Sequence, residues 1–543
     1  MQQPENQSKK YESLFADIDT GRMKIPMFQR DFVWTKEQTA KLIDSIIKGF
    51  PIGTFILWKT REDMRAVRDI GNVQLPELPK GDAALYVLDG QQRITSLYAA
   101  RKGVVFNKDG QEIDYCQISI NLDLDPDSDD QVVTTEPPQD APWISVNKLL
   151  TGKVTEFATQ FSSYLEKIDI YRTRLTGYDF SVIVIPDYPI DIACEVFTRI
   201  NTGGTELTLF EIMVAKTYDL ERNFDLAEKY QNLIDNNGKG KDLEDANFDT
   251  IPPSTILQCV SAYARKQIRR KDILKIQRDE FIELWPHVVD GIFAAVDYIR
   301  THLRVPVSQL LPYNALLAPF TYFFMKNYGR MPNATQDQLL TQYFWWVSLS
   351  NRFSSGFENK VAQDLERMEA ILEDKQPSYR GEEILLSLDD LRWRWFSTGD
   401  AFCKAILCLY ASFVPRSFNN DNLVTLDNSW LRTTTSKNYH HYFPRSYLTK
   451  QRDYPDWQAN CILNITIVDD HLNKRTIRAK PPNEYMLSFV DSNPKLEETM
   501  MTHLIDDLDD FGVWDDDYDR FIEKRGQRVL EELNKRLRFD QAQ

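Results

Sequence analysis

What this chain lacks narrows it first. No apolar run approaches the length of a membrane span, so no bilayer-crossing segment is expected. The opening "MQQPENQSKKYESLF" is polar and has no signal-peptide centre. Six cysteines in 543 residues do not make a disulfide framework, and the absence of any CxxC pair argues against a structural zinc. Cys403 and Cys408, within the apolar "AFCKAILCLYASF", read as buried thiols. These traits together point to a reduced, cytoplasmic protein. No GxxxxGK[ST] occurs, which excludes a P-loop. No repeat of solenoid period is present.

What is there suffices for folded domains. Hydrophobic residues make up 42% and aromatics 12% of the chain, enough for real cores. The net charge of −16 favours solubility, but nucleic-acid binding depends on local patches and stays open. The length suggests about three domains. Residues 1–220 alternate strand-like runs ("PIGTFILW", "AALYVLDG", "FSVIVIPDY") with helical ones ("TAKLIDSIIKGF", "QQRITSLYAARKG"). Thr208 and Glu211 have the spacing of a capping box. The acidic, proline-bearing "DPDSDDQVVTTEPPQDAP" reads as a loop or insertion. Residues 221–410 are helical, with aromatic stripes that read as packing. A basic stretch there, "ARKQIRRKDILKIQR", reads as a wet helix face or a DNA track, with the wet face favoured. Residues 411–543 hold short strands and then an acidic, helical tail whose charges read as solvated. The fold class is therefore α+β and multidomain.

Three stretches of the first domain place an arginine beside amides or glycines: "IPMFQRDFVW", "LDGQQRITSLY" and "FTRINTGGTELT". In the second, Gly90 permits a sharp strand-to-helix turn. The helix start offers unpaired N–H groups to an anion. Arg93 can add a bidentate phosphate contact, and Asp89 can hold Mg²⁺ or position a water. An ordinary strand–turn–helix with a salt-bridged arginine fits "DGQQR" equally well.

A second constellation lies near "NYHHYFPRSYL". Three of the six histidines fall between residues 440 and 471, and Asn464 and Asn473 follow the pair His440–His441. A small metal-dependent nuclease needs a neutral imidazole to take a proton from water, a cation at the scissile phosphate, and an amide to orient the base. The order His-His, Asn, Asn matches the ββα-metal (HNH) arrangement. Arg432, Lys437, Arg445, Lys450 and Arg452 flank the pair, and Lys474, Arg475, Arg478 and Lys480 follow Asn473, with no carboxylate inside either cluster. Such a patch would neutralise DNA phosphates. A surface hairpin with two solvated histidines is the bland alternative.

The first two hundred residues resemble the N-terminal domain of GmrSD-type modification-dependent restriction enzymes, which is similar to the ParB/sulfiredoxin-like fold. The resemblance rests on Pro26, Phe28, Gln29, Arg30, Val33 and Trp34, on Asp89, Gly90, Gln91, Gln92 and Arg93, and on Phe197, Arg199, Ile200, Asn201 and Gly204. It implies a nucleotide and phosphate site at Gln29, Arg30, Asp89 to Arg93, Arg199 and Asn201, hydrolysis of NTP with GTP favoured, and sensing of modified DNA. The C-terminal half resembles the HNH half of the same proteins. That resemblance implies His441 as general base, His440 as metal ligand, Asn464 as the group orienting the base, and Asn473 as the helix ligand. Asp470 and His471 are alternative ligands. A histidine at 440, where relatives carry an acid, leaves the metal open among Mg²⁺, Mn²⁺ and other transition ions. Arg445, Lys450, Lys474 and Arg475 would meet DNA.

The expectation is an NTP-regulated, modification-dependent DNA endonuclease of anti-phage defence, with no membrane partner. Its domains would be a ParB-like sensor (1–220), a helical middle (221–410) and an HNH nuclease (411–543). A catalytically inactive DNA- or nucleotide-binding regulator and a non-discriminating toxin-like nuclease are the rivals. The modification sensed and the state of oligomerisation, including a homo-oligomer, stay open.

Overall fold

The computed structural model describes the chain except for residues 1–2, 27–31, 62–68, 71–72, 80, 109–110, 138–141, 201–206, 380–383, 429–438, 469–476, 478 and 538–543. It divides into two compact units, Met1–Asp225 and Leu226–Gln543. Both mix helices with small sheets, as the α+β reading anticipates. No described helix is long and apolar enough to cross a membrane.

The first unit is built on a five-stranded mixed sheet in the order Glu5–Lys10, Asp179–Pro186, Phe55–Thr60, Ala84–Asp89, Met23–Lys24. The outer pairs differ in sense: Glu5–Lys10 runs antiparallel to its neighbour, Met23–Lys24 parallel. Alternate residues such as Leu57, Val87 and Val182 point into a core shared with Leu14, Phe15, Ile43, Ile46, Ile94 and Tyr98 from the covering helices. The helix Lys36–Ile47 starts where Thr35 and Gln38 close a capping box, and Thr208 and Glu211 do the same for Leu209–Thr217, as their spacing predicts.

The acidic insertion is not all loop. Val133–Thr134 adds a strand to a three-stranded sheet with Ser119–Asn121 and Trp143–Ser145. Val132 and Val133 are fully buried, and the Asp44 carboxylate accepts the Val132 N–H at 2.7 Å. Two adjacent valines outweigh the acidic composition around them.

In the second unit the middle helices and the C-terminal segment form one body. The helix Ala401–Ser412 runs across the expected 410/411 boundary, with Cys403 and Cys408 fully buried. The tail helix Tyr518–Leu537 packs on Ala334–Leu349, where Gln342 Nε2 donates to Leu537 O at 3.1 Å. Most carboxylates before this helix are exposed, as read from the sequence, but the helix itself buries Phe521, Val529, Leu533 and the entire side chain of Arg525. In the basic stretch of the middle helices, Arg265 pairs with Glu280, Lys266 with Glu369 and Lys275 with Asp272.

Candidate active site

The paired histidines lie on the strand Tyr439–His441, which runs antiparallel to Ile465–Ile467 with His440 opposite Thr466 and His441 opposite Ile465. Neighbours on a strand face opposite ways, and here the faces differ in kind. His440 turns inward and is only 4% exposed, with the Tyr485 ring edge-on at 6.3 Å. Among the described residues, neither of its ring nitrogens has a hydrogen-bond partner. Burial, with His441 and His503 adding to it, depresses its pKa to about 3, so the ring is neutral and keeps a free lone pair. Buried imidazoles normally find partners. A buried ring with neither nitrogen engaged suits a metal ligand.

His441 turns to a partly exposed face. Its Nε2 lies 2.8 Å from Asn460 Oδ1. The Asn460 amide nitrogen donates to Phe396 O at 3.1 Å, so its oxygen is the end that meets His441. Nε2 therefore carries the proton, and Nδ1 is left with the lone pair. Burial pushes the His441 pKa down and the Asn460 bond opposes this. Direct contact with His441, expected of Asn464, thus belongs to Asn460. Asn464 is fully buried and works on main chain instead. Its Oδ1 accepts Phe443 N–H, and its Nδ2 donates to Phe443 O and Ala459 O, each at 2.9 Å. It closes the chain just after His441 and so positions His441 through the backbone.

Arg525 completes the frame, and no local signal pointed to it. Its guanidinium donates to Leu463 O at 2.5 Å, Ile465 O at 2.7 Å and His503 O at 3.2 Å, over the Tyr410 ring. The tail helix so grips the second strand of the hairpin.

Of the expected phosphate contacts, Arg445 is held in a bidentate pair with Asp456, a partner eleven positions on that the run of basic residues did not reveal. Lys450 is exposed and forms no ion pair among the described residues. Asn473, Asp470, His471, Lys474 and Arg475 lie outside the described residues. Among the described residues no cluster of three or more His, Cys, Asp or Glu side chains converges on a metal position.

In the first unit, two of the three sequence stretches meet. Gln92 Oε1 accepts Val33 N–H at 2.9 Å, and Gln92 Nε2 donates to Gln91 Oε1 at 3.0 Å. The helix Ile190–Ile200, which carries Arg199, lies against the strand ending at Asp89. Gln29, Arg30 and Asn201 lie outside the described residues. Gly90 makes the expected turn at φ +91°, where a Cβ would come within 2.4 Å of Phe55.

Arg93 is bonded within the chain, as the salt-bridged alternative for "DGQQR" has it. Its guanidinium donates to Ile52 O at 2.5 Å, Thr54 O at 3.2 Å and Asp89 Oδ2 at 3.2 Å. Gly53 leaves room for it: a Cβ there would stand 2.5 Å from Nη1. Asp89 is likewise engaged with this arginine, and Arg199 pairs with Glu195 at 2.6 Å. A cavity of about 400 Å³, bordered by Glu5, Lys9, Arg22, Lys59, Arg61 and Asp187, opens at the other end of the sheet. Lys59 pairs in register with Leu85 there, whereas Asp89 faces Ile56.

Two comparisons bear on this arrangement. Across 94% of this chain and 96% of the relative, the sequence is 23% identical to an uncharacterized protein of Methanocaldococcus jannaschii, over 583 aligned positions. Residues 11–218, within the first unit, match the family described as GmrSD restriction endonuclease, N-terminal domain.

Proposed function

We propose that the protein is a DNA endonuclease of a restriction system, cutting at the His440–His441 hairpin under control of its N-terminal domain. The observation that carries the reading is the division of labour in the pair. His440 is buried with neither nitrogen hydrogen-bonded among the described residues, and His441 is held by Asn460 with Nδ1 unprotonated. His440, with Asn473, would hold a divalent metal, which when bound stabilises charge developing on the phosphate and the leaving oxygen. His441 Nδ1 takes a proton from the attacking water. The water oxygen bonds to phosphorus as the bond to the leaving sugar oxygen breaks. Asn460, accepting from Nε2–H, steadies the imidazolium so formed. Lys450 neutralises a neighbouring phosphate.

The family match of residues 11–218 supports DNA as the partner and restriction of phage as the role. Nucleotide control, with GTP favoured, and dependence on DNA modification belong to the same proposal, as does a cytoplasmic location. The internal bonding of Arg93 favours a second reading of the N-terminal domain alone, as a sensor that binds without hydrolysis.

The test is nicking of plain and modified plasmid or phage DNA by the full chain with Mg²⁺ or Mn²⁺, with and without GTP. Cleavage of modified DNA that disappears in His441→Ala is expected. Equal cleavage by His441→Ala would overturn the assigned base, and equal cleavage of plain and modified DNA would overturn the modification dependence. GTP turnover by the parent would decide against the non-hydrolysing reading.

A further inference from the structure

Three tryptophans stand out of the second unit beside the hairpin. Trp393 is 53%, Trp395 45% and Trp457 44% exposed. Trp393 and Trp457 pack on each other with ring centroids 5.0 Å apart. The Arg445 guanidinium lies 5.7 Å from the Trp395 ring.

The segment "LRWRWF" that supplies two of them reverses the usual order. Its arginines are anchored, Arg392 by Glu523 and Arg394 by Asp400. Its indoles face water, while Leu391 and Phe396 on either side are buried. Exposing two tryptophans while two guanidiniums are tied down runs against burial energetics and needs a reason outside the folded chain.

The platform is fixed to the base by one residue. Asn460 meets His441 Nε2 through its oxygen. The same amide donates to Phe396 O, and Asn460 O accepts Phe396 N–H at 2.9 Å, one residue past Trp395. Trp457 sits on the short helix Asp456–Ala459, which Asn460 caps. Trp395 and Cys461 form a backbone bridge. The three indoles and His441 are therefore tied to one frame.

The geometry points to this platform as a stacking site for unpaired DNA bases flanking the phosphate presented to His441. The inference rests on the nuclease reading above for its choice of partner. Indole faces take any base, because every base has a π-face, and they reach bases only where these have left the duplex. Lys450, exposed and without an ion pair among the described residues, lies on the helix Arg445–Gln451, where the strand's phosphates would run. The duplex would be locally opened, or a nicked end peeled, at the point of cutting.

Binding is measured apart from cleavage, in full-length His441→Ala without added metal, by fluorescence anisotropy of a labelled oligo-dT of about 15 nucleotides and of a duplex of the same length. Single strand is expected to bind more tightly than duplex. Trp393→Ala with Trp457→Ala, and Trp395→Ala separately, are expected to weaken single-strand binding by about tenfold per indole, with duplex binding little changed. Phenylalanine at the same positions should restore part of the loss, which a purely structural effect would not. Unchanged single-strand affinity in the alanine variants overturns the platform, even if the parent cleaves DNA. So does a change in sedimentation without a change in DNA binding, which would give the indoles to a contact between copies. Loss of nicking in the parent assay, with the indole dependence of binding intact, would remove the nuclease reading and leave the stacking site.

Discussion

Asn460 Oδ1 stands 2.8 Å from His441 Nε2, and the orientation of that amide is set by its second bond to Phe396 O. One side chain thereby chooses the tautomer of His441. Asn460→Ala should reduce nicking of supercoiled DNA by about 10–100-fold, the usual cost of losing a base's orienting partner. Asn460→Asp keeps the acceptor and should retain more activity than Asn460→Ala. Equal rates for the parent and the alanine variant, under single-turnover conditions, would remove Asn460 from the mechanism.

Asn464 should behave differently, because its three bonds all go to main chain. Asn464→Ala leaves buried Phe443 and Ala459 groups unpaired, at about 1–3 kcal/mol for each group stranded. The expected result is a lower urea midpoint, with activity lost in parallel as the hairpin loosens. A variant as stable as the parent but inactive would instead give Asn464 a direct role at the reacting groups.

Arg525 is a buried cation facing carbonyls rather than a carboxylate. Burial lowers its pKa from the usual guanidinium value, yet the group stays charged, and three main-chain acceptors depend on it. Arg525→Ala should destabilise the second unit by about 3 kcal/mol. Arg525→Lys, a point charge in place of a planar fork, should recover only part of this. Chemical denaturation of the three proteins checks the order. A lysine variant as stable as the parent would mean the fork geometry is not used.

The parts of this molecule set by neighbouring residues were legible in its sequence. Gly90 between a β run and a helical run marks a turn, Thr208 and Glu211 mark a helix start, and the apolar setting of Cys403 and Cys408 marks burial. The histidine hairpin was legible as two short strands. What escaped is set at long range. Arg93 meets carbonyls 39 and 41 positions away, and only the fold brings these to it. Asn460 and Asn464 are the same residue type one turn apart. The 3₁₀ turn Ile462–Asn464 between them sends one amide to His441 and the other to Phe443. The outward indoles sit beside Arg392 and Arg394, which Glu523 and Asp400 hold, pairings that no pattern in "LRWRWF" reveals.

Glu532 gives the tail helix a defined acid response. Burial opposes its charge, but Arg528, Arg536 and Lys535 outweigh burial and lower its pKa from 4.5 to about 2. A carboxyl whose folded pKa is depressed contributes stability above its unfolded pKa and loses that contribution as pH falls through the folded value. The window is therefore from about pH 4.5 down to about pH 2, and the contribution above it is about 3 kcal/mol at most. Glu532→Gln should be less stable than the parent at pH 6, by up to that amount. The gap should close as pH is lowered toward 2, because the parent's own carboxyl is then protonated. Urea midpoints at several pH values measure it. A gap that stays constant with pH would mean that the variant's loss comes from packing of the side chain and not from its charge.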